Sequence, residues 1–458
     1  MNLDSKVDEL KNELVSSVQD IVKIKSVEEE GDEKYPFGKG VQKTLEYSLN
    51  LAKNMGFKTK NVDNMIGYAE YGQGEELIAV LGHLDVVPEG DGWTYPPYGG
   101  EIHDGKIYGR GTTDDKGPTM AALYALKAIK DLNLPLKRRV RIIFGLNEET
   151  GSNCVKHYIK VGEDLPIAGF TPDAEYPIIN GEKGIVTCRY KKTLKDHEVS
   201  FIKSIKGGIA PNVVPDYAEA VLVMPENLKN QVEKLAEKEE KITIEFHENE
   251  VTIRALGISA HGSTPEKGEN AIGNIFGFLS KLDITGSSKE LIDFMNQYIA
   301  MDTTGKLLGI DLSDEVSGNF TLNLGVINGN KDEVYIDINM RYPVTKTYED
   351  FIDIFEEKMK LGGFEEVHTK HKNSLYVSPD TDFIKKLQKV YEEKVGDKAE
   401  LISIGGGTYA KAMKNIVAFG PIFKGEPMVE HKPDEYISID SLMKNTEIIA
   451  AAIYELAK

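Results

Sequence analysis

The chain has 458 residues, 40% of them hydrophobic and 28% charged, an ordinary globular composition that is too long for one hydrophobic core and predicts two or three domains. Fifty-five Lys and Arg against 74 Asp and Glu leave a net charge of −19, which repels polyanions and excludes nucleic acid and anionic membranes as favoured partners. Two cysteines, Cys154 and Cys188, exclude a disulfide framework and suit a reducing compartment, so the expected location is cytoplasmic.

At the N-terminal end, Leu10, Leu14, Val18, Ile21 and Val22 recur at helical spacing among charged residues, unlike the apolar core of a signal peptide. No apolar run approaches the ~20 residues needed to span a bilayer. From 41 to 144 helix and strand alternate: a helix over 41–55, an apolar strand over 77–81, a helix over 118–132 begun by Pro118, and a strand over 139–144. Pro is tolerated in a first helical turn, where its missing N–H has no partner to lose. Such alternation predicts an α/β catalytic domain with a mixed, largely parallel sheet flanked by helices.

Beyond 184 the texture changes to alternating strands at 218–223 and 241–246 around a charged helix at 226–240. A similar order returns at 320–324, 334–341 and 348–361, the mark of an internal duplication. The tail resumes the first pattern, with a helix over 381–394, a glycine turn at 405–407, an apolar stretch at 416–419 and a last helix over 441–456. The expected domains are therefore a catalytic domain formed by 1–183 and 377–458, interrupted by an inserted α+β domain over 184–376.

Chemistry-bearing residues cluster at the ends of these elements. In Gly82-His83-Leu84-Asp85 the two polar side chains lie two apart on extended backbone and share a side. His83 can ligate a metal while Asp85 accepts a hydrogen bond from its second ring nitrogen; alternatively the stretch is a polar loop. Gly109-Arg110-Gly111-Thr112-Thr113-Asp114-Asp115-Lys116-Gly117 places adjacent acids before a helix. Asp114 can bridge two cations through its two oxygens, whereas Asp115 and Thr113 also suit helix capping. In Asn147-Glu148-Glu149-Thr150-Gly151, after a strand, one carboxylate can hold a metal and its neighbour face a water as general base. Asp173, among prolines, and His431, in Met428-Val429-Glu430-His431-Lys432-Pro433-Asp434-Glu435, complete a nitrogen and oxygen ligand set suited to Zn, Mn or Co. Taken singly, Asp173 and His431 each read more readily as a surface turn. His103, His157, His197, His247, His368 and His371 lack a comparable motif and read as surface or hydrogen-bonding residues, whereas His261 sits in the small-residue loop Gly257-Ile258-Ser259-Ala260-His261-Gly262-Ser263.

In their order and spacing, His83-x-Asp85, the Gly-Arg-Gly-x-x-Asp-Asp-Lys-Gly run, Glu148-Glu149-Thr150-Gly151, Asp173 and His431 resemble the aminoacylase and glutamate-carboxypeptidase family of dinuclear metallohydrolases. The likeness covers essentially the whole chain and is nearest to bacterial dipeptidases of the PepV type, grouped with carnosinase-like Xaa-His dipeptidases. It implies two divalent ions, Zn2+ with Mn2+ or Co2+ as alternatives, bridged by Asp114. One ion would also be held by His83 and Asp173, the other by Glu149 and His431, with Asp85 orienting His83 and Glu148 as general base. The resemblance further implies that the inserted domain is a lid, that His261 stabilises the oxyanion, and that Asn212, Arg341, Gly406 and Gly407 contact substrate, Arg341 through its carboxylate. Lys411 stands where the family more often has Arg. The implied activity is hydrolysis of dipeptides, and of short peptides with a free N-terminus, by a monomer. The alternatives are an N-acyl amino acid deacylase or desuccinylase, and a catalytically silent metal-dependent peptide-binding protein.

Overall fold

The computed structural model describes residues 2–195 and 201–458, so His197 lies outside the described residues. The chain divides into two compact units, one formed by residues 1–180, 377–402 and 407–458, the other by 181–376 and 403–406.

In the first unit the strand Leu77–His83 is buried at all seven positions, as a strand covered on both faces must be. It runs parallel to Arg139–Gly145 on one side and to Ala168–Thr171 on the other, and Ile416–Ala418 continues the parallel order beyond the latter. Antiparallel strands flank this parallel centre, Ile66–Tyr71 beside Arg139–Gly145 and then Lys58–Val62. The sheet is thus mixed with a parallel centre. The helices Lys116–Asp131 and Ile439–Ala457 pack on each other and on the strands Leu77–His83 and Arg139–Gly145. Both are rich in alanine and leucine or isoleucine, strong helix formers or good core fillers. Lys116–Asp131 begins two residues before Pro118, which therefore sits inside the first turn.

The second unit is built on an eight-stranded antiparallel sheet. Its strands follow the order Ile242–His247, Glu250–Leu256, Tyr217–Val223, Phe201–Gly207, Thr321–Asn330, Glu333–Tyr342, Gly184–Thr193, Phe364–Lys372. About the central pair, Phe201–Gly207 and Thr321–Asn330, each half repeats two hairpin strands, a helix and a returning outer strand. Those helices are Glu226–Ala236 and Ile352–Leu361. Gly184–Thr193 alternates buried and half-buried positions along its length, the period of a sheet with one face on the core. The first helix ends at Ala236 rather than 240, because Glu237-Lys238-Glu239-Glu240 would set three carboxylates against the negative end of the helix dipole. Two further helices, Ala271–Leu279 and Gly286–Tyr298, complete this core. Residues 403–406 join the second unit, where Lys183 N–H donates to Ile404 O at 3.0 Å and Arg341 Nη1 donates to Gly405 O. Among the described residues no helix is long and apolar enough to cross a membrane.

Candidate metal centre

Three neighbouring parallel strands end at one place, and the chemistry-bearing residues sit there. His83 is the last residue of Leu77–His83, Glu148 and Glu149 lie in the turn after Arg139–Gly145, and Asp173 follows Ala168–Thr171. Carboxyl ends of parallel strands are where open α/β sheets gather ligands. Asp114 and Asp115 immediately precede Lys116–Asp131, and His431 lies on the loop before Tyr436–Ser438.

The distances converge on Asp114. His83 Nε2 lies 3.0 Å from Asp114 Oδ1 and 3.7 Å from Asp173 Oδ2. His431 Nε2 lies 3.0 Å from Asp114 Oδ2 and 3.3 Å from Glu149 Oε1. One carboxylate therefore presents a separate oxygen to each imidazole. His83, Asp114 and Glu149 each bring a ligand atom within 4.8 Å of the others, a cluster able to hold a metal ion.

The tautomer of His83 tests whether a cation fits. Its Nδ1 lies 3.0 Å from the backbone carbonyl of Asp85, and a carbonyl only accepts, so Nδ1 carries a proton and in the neutral ring Nε2 is a lone pair. That lone pair is buried and without an aligned hydrogen bond, yet it faces the Asp114 carboxylate. Two acceptors held this close repel unless a proton or a cation lies between them. Six carboxylates, those of Asp85, Asp114, Asp115, Glu148, Glu149 and Asp173, surround two imidazoles, and a nitrogen and oxygen donor set of this charge fits divalent cations.

Ionisation in the protein alone reflects the same crowding. Burial disfavours the His83 cation, but Asp114 and Asp85 outweigh it and raise His83 well above the ordinary histidine range. Hydrogen bonding to Asp114 and Glu149 lifts His431 to about 10. Burial also opposes the Asp114 charge, and His431 and His83 reverse this, holding that carboxyl well below its usual value. Burial pushes Asp173 well up, with Asp114 adding repulsion. Glu148 rises to about 7 through burial, opposed by His83 and reinforced by Glu149, which puts a proton acceptor near neutrality.

The groups that hold the ligands in place were partly unread in the sequence. Asp85 meets Nδ1 through its carbonyl rather than by an aligned bond from its carboxylate, whose Oδ1 stands at 3.4 Å. The other oxygen, Oδ2, accepts from Glu149 N–H at 3.1 Å and so ties the two ligand loops together. Asp115 does not cap its helix with its side chain. Its Oδ2 instead accepts from His83 N–H at 3.0 Å and from Thr119 Oγ1 at 2.9 Å, pinning the strand end to the helix. Thr113 is not a cap either, since its hydroxyl donates to Tyr436 O.

Glu435, which stood in the His431 motif without a role, is wholly buried. Its Oε1 accepts from the N–H groups of Gly111, Thr113 and Asp114 at 3.0, 3.0 and 3.3 Å, and its Oε2 pairs with Arg110 Nη1 at 2.7 Å. Burial and the Asp114 charge push Glu435 up to about 7, against Thr113 N–H and Arg110, which favour the ionised form. Tyr409 sets its ring edge-on to His83, with centroids 5.7 Å apart, and its hydroxyl meets Cys154 Sγ at 3.2 Å. Both cysteines are free and buried.

The second unit collects the remaining candidates other than Gly407. Asn212 O accepts from Gly262 N–H at 2.7 Å, which fastens the His261 loop beside Asn212. Arg341 is buried at 4% exposure, not a surface charge at a strand end, and Asn339 Oδ1 accepts from its Nε at 3.1 Å. Burial lowers Arg341 to about 10. Desolvation and Arg341 both hold His261 below the ordinary histidine value. A Cβ on Gly405 would lie 2.8 Å from Ser263 Cβ, so packing requires that glycine. Gly406 and Gly407 differ: a Cβ on either meets nothing closer than 3.7 and 3.3 Å, so the protein's own packing does not demand a glycine at 406. Four of the histidines without such a motif pair away from the centre, His103 with Glu101, His157 with Asp63, His247 with Glu245 and His371 with the Tyr342 hydroxyl.

Known proteins share this architecture over the whole chain. The Bacillus subtilis (strain 168) protein named putative dipeptidase YtjP is 43% identical over 470 residues, covering 100% of both chains. Human carnosine dipeptidase 1 superposes with a TM-score of 0.58 at 17% identity, over 99% of this chain and 98% of its own. Aminoacylhistidine dipeptidase of Vibrio alginolyticus superposes with a TM-score of 0.59 at 14% identity, over 97% of each chain. At such identities the superpositions speak to the fold. The match of residues 79–455 to the model of "Peptidase family M20/M25/M40" takes in every residue of the candidate centre from His83 to His431, and the chain belongs to that peptidase family.

Proposed function

We propose that this enzyme hydrolyses the peptide bond of dipeptides, and of short peptides with a free N-terminus, at a centre of two divalent cations. The observation that carries the proposal is Asp114, whose two oxygens each stand 3.0 Å from a different imidazole. In this reading His83, Asp173 and Asp114 hold one ion and Glu149, His431 and Asp114 the other. Zn2+ suits the nitrogen and oxygen donors, and Mn2+ or Co2+ would also fit. When bound, such a pair lowers the pKa of water and offsets charge developing on a carbonyl oxygen.

Glu148 takes the proton from the attacking water and returns it to the leaving amine. Burial raises its proton affinity in the protein alone, and a carboxylate of raised affinity serves better as a base. Asp85, acting through its carbonyl on Nδ1 and its carboxylate on Glu149 N–H, keeps His83 and the Glu149 loop in register. To the second unit we assign recognition: Arg341 pairs with the substrate carboxylate, Asn212 positions the peptide, and His261 donates a hydrogen bond to the oxyanion. Arg341 already has its Nε satisfied by Asn339, leaving a guanidinium oriented by the protein. Gly406 and Gly407 let backbone approach the peptide. We assign the enzyme to the cytoplasm, since its two free cysteines suit a reducing compartment, and to a monomer, because the second unit is a full domain supplying its own histidine.

The test is hydrolysis of free and N-acylated dipeptides by chelator-stripped protein before and after adding Zn2+, Mn2+ or Co2+. Metal-restored cleavage of free dipeptides is expected. Cleavage of N-acyl substrates alone would make the enzyme a deacylase, and inactivity with every metal would leave a peptide-binding protein.

A further inference from the structure

His261 Nδ1 faces two groups of Ser263. The Ser263 hydroxyl lies 2.6 Å from it, and the Ser263 backbone N–H donates to it at 3.2 Å. A hydroxyl can donate or accept, so the first contact alone leaves the tautomer open. The backbone N–H tips the balance, because it only donates and so disfavours a proton on Nδ1. The hydroxyl then donates as well, and the neutral ring carries its proton on Nε2.

The loop is built to keep this arrangement. Gly262 N–H is held by Asn212 O at 2.7 Å, and Thr264 N–H donates to His261 O at 2.9 Å, so the turn closes around the histidine. A Cβ on Gly262 would lie 3.0 Å from three backbone atoms of Asn212, so a side chain there would force that backbone to give way. On the far side Ser263 Cβ packs against Gly405, the residue whose carbonyl Arg341 grips. Ser263 thus lies between the His261 ring and the Gly405 backbone, with its hydroxyl against Nδ1 of that ring.

We infer that Ser263 is a positioning residue that locks His261 as the Nε2–H tautomer, so that the ring presents a hydrogen-bond donor to the substrate carbonyl without carrying charge. The functional half rests on the assignment of His261 to the oxyanion. A ring with the proton on Nδ1 would turn a lone pair towards a carbonyl oxygen and repel it. An Nε2–H ring supplies the donor at once and needs no reorganisation as charge develops.

Long-range proton–nitrogen NMR of the full chain labelled in histidine, with His261 assigned by His261→Gln, reads the tautomer directly. The parent protein is expected to show Nε2–H, and Ser263→Ala to show a mixture, since the backbone N–H remains. Steady-state kinetics of metal-loaded Ser263→Ala should show kcat lower by about tenfold, the worth of one hydrogen bond, with KM within about twofold. Ser263→Thr keeps the hydroxyl and should retain both the tautomer and kcat. Nδ1–H in the parent protein, or an unmoved tautomer in Ser263→Ala, would overturn the lock. A shifted tautomer with unchanged kcat would uphold the lock and remove His261 from the oxyanion, so the two readings fail separately.

Discussion

The buried pair of Arg110 and Glu435 supports the loop that carries Asp114, and its removal should be felt there first. Both side chains are almost inaccessible, at 1% and 0% exposure, and they meet at 2.7 Å. Glu435→Leu leaves a guanidinium buried without its carboxylate and frees the N–H groups of Gly111, Thr113 and Asp114. Breaking a buried pair from one side costs about 3–5 kcal/mol. Arg110→Met should cost less, because those N–H groups still satisfy the Glu435 carboxylate. In Arg110→Met with Glu435→Leu neither charge is stranded, and the double variant should be at least about 2 kcal/mol more stable than the sum of the single losses predicts. Urea unfolding followed by circular dichroism measures the cycle, and amide hydrogen exchange of the 109–115 peptide shows whether the loss is local. Additivity within about 0.5 kcal/mol, or unchanged exchange in Glu435→Leu, would refute the coupling.

Other substitutions separate chemistry from packing. Glu148→Ala should lower kcat by about 10²–10⁴-fold while leaving bound metal, measured by elemental analysis, near the parent value; parent turnover would remove Glu148 as general base. Gly406→Ala should change stability by less than about 0.5 kcal/mol, since the added Cβ meets only Ile404 Cδ1 at 3.7 Å, yet raise KM; an unchanged KM would show that no substrate comes close. Lys25, 2.6 Å from Glu89, is the main cause of the lowering of Glu89 to about 2. A depressed carboxyl stabilises the fold above its unfolded value of 4.5 and loses that contribution as pH falls towards about 2. Lys25→Met should therefore cost less than about 1 kcal/mol at pH 7, given partial exposure, with the difference fading on acidification. A gap that widens in acid would reverse the assignment.

Much of the α/β unit was legible because its signals are local. The strand Leu77–His83 is a continuous apolar run, and the helix Lys116–Asp131 announces itself by its composition and by Pro118 near its start. The helix Ala271–Leu279 carried no such signal. Its sequence, AIGNIFGFL, is apolar almost throughout and shows neither helical nor strand periodicity, so only the Asn270 cap, accepting from Ile272 and Gly273 N–H, marks its beginning. Tertiary burial against the eight-stranded sheet decides its state.

The same distinction runs through the candidate centre. His83, Asp114, Glu149 and Asp173 stand in short motifs at the ends of strands or before a helix, where polar side chains next to apolar runs are conspicuous, and His431 stands in a short motif on the loop before Tyr436–Ser438. Their supports are not conspicuous, since each acts through a partner far away in the sequence. Asp115 binds the backbone of His83, Asp85 the backbone of Glu149, and Glu435 the loop from Gly111 to Asp114. In all three pairs a carboxylate accepts from main-chain N–H groups, so the partner's side chain leaves no trace in composition or spacing. A carboxylate that is buried must be hydrogen-bonded, and an acid next to a metal-ligand motif that is not itself a ligand is therefore best read as a clamp on some other ligand's backbone. Asp85, Asp115 and Glu435 each adjoin such a motif, and each clamps a different strand end or loop, which is how candidate ligands drawn from separate segments come together around Asp114.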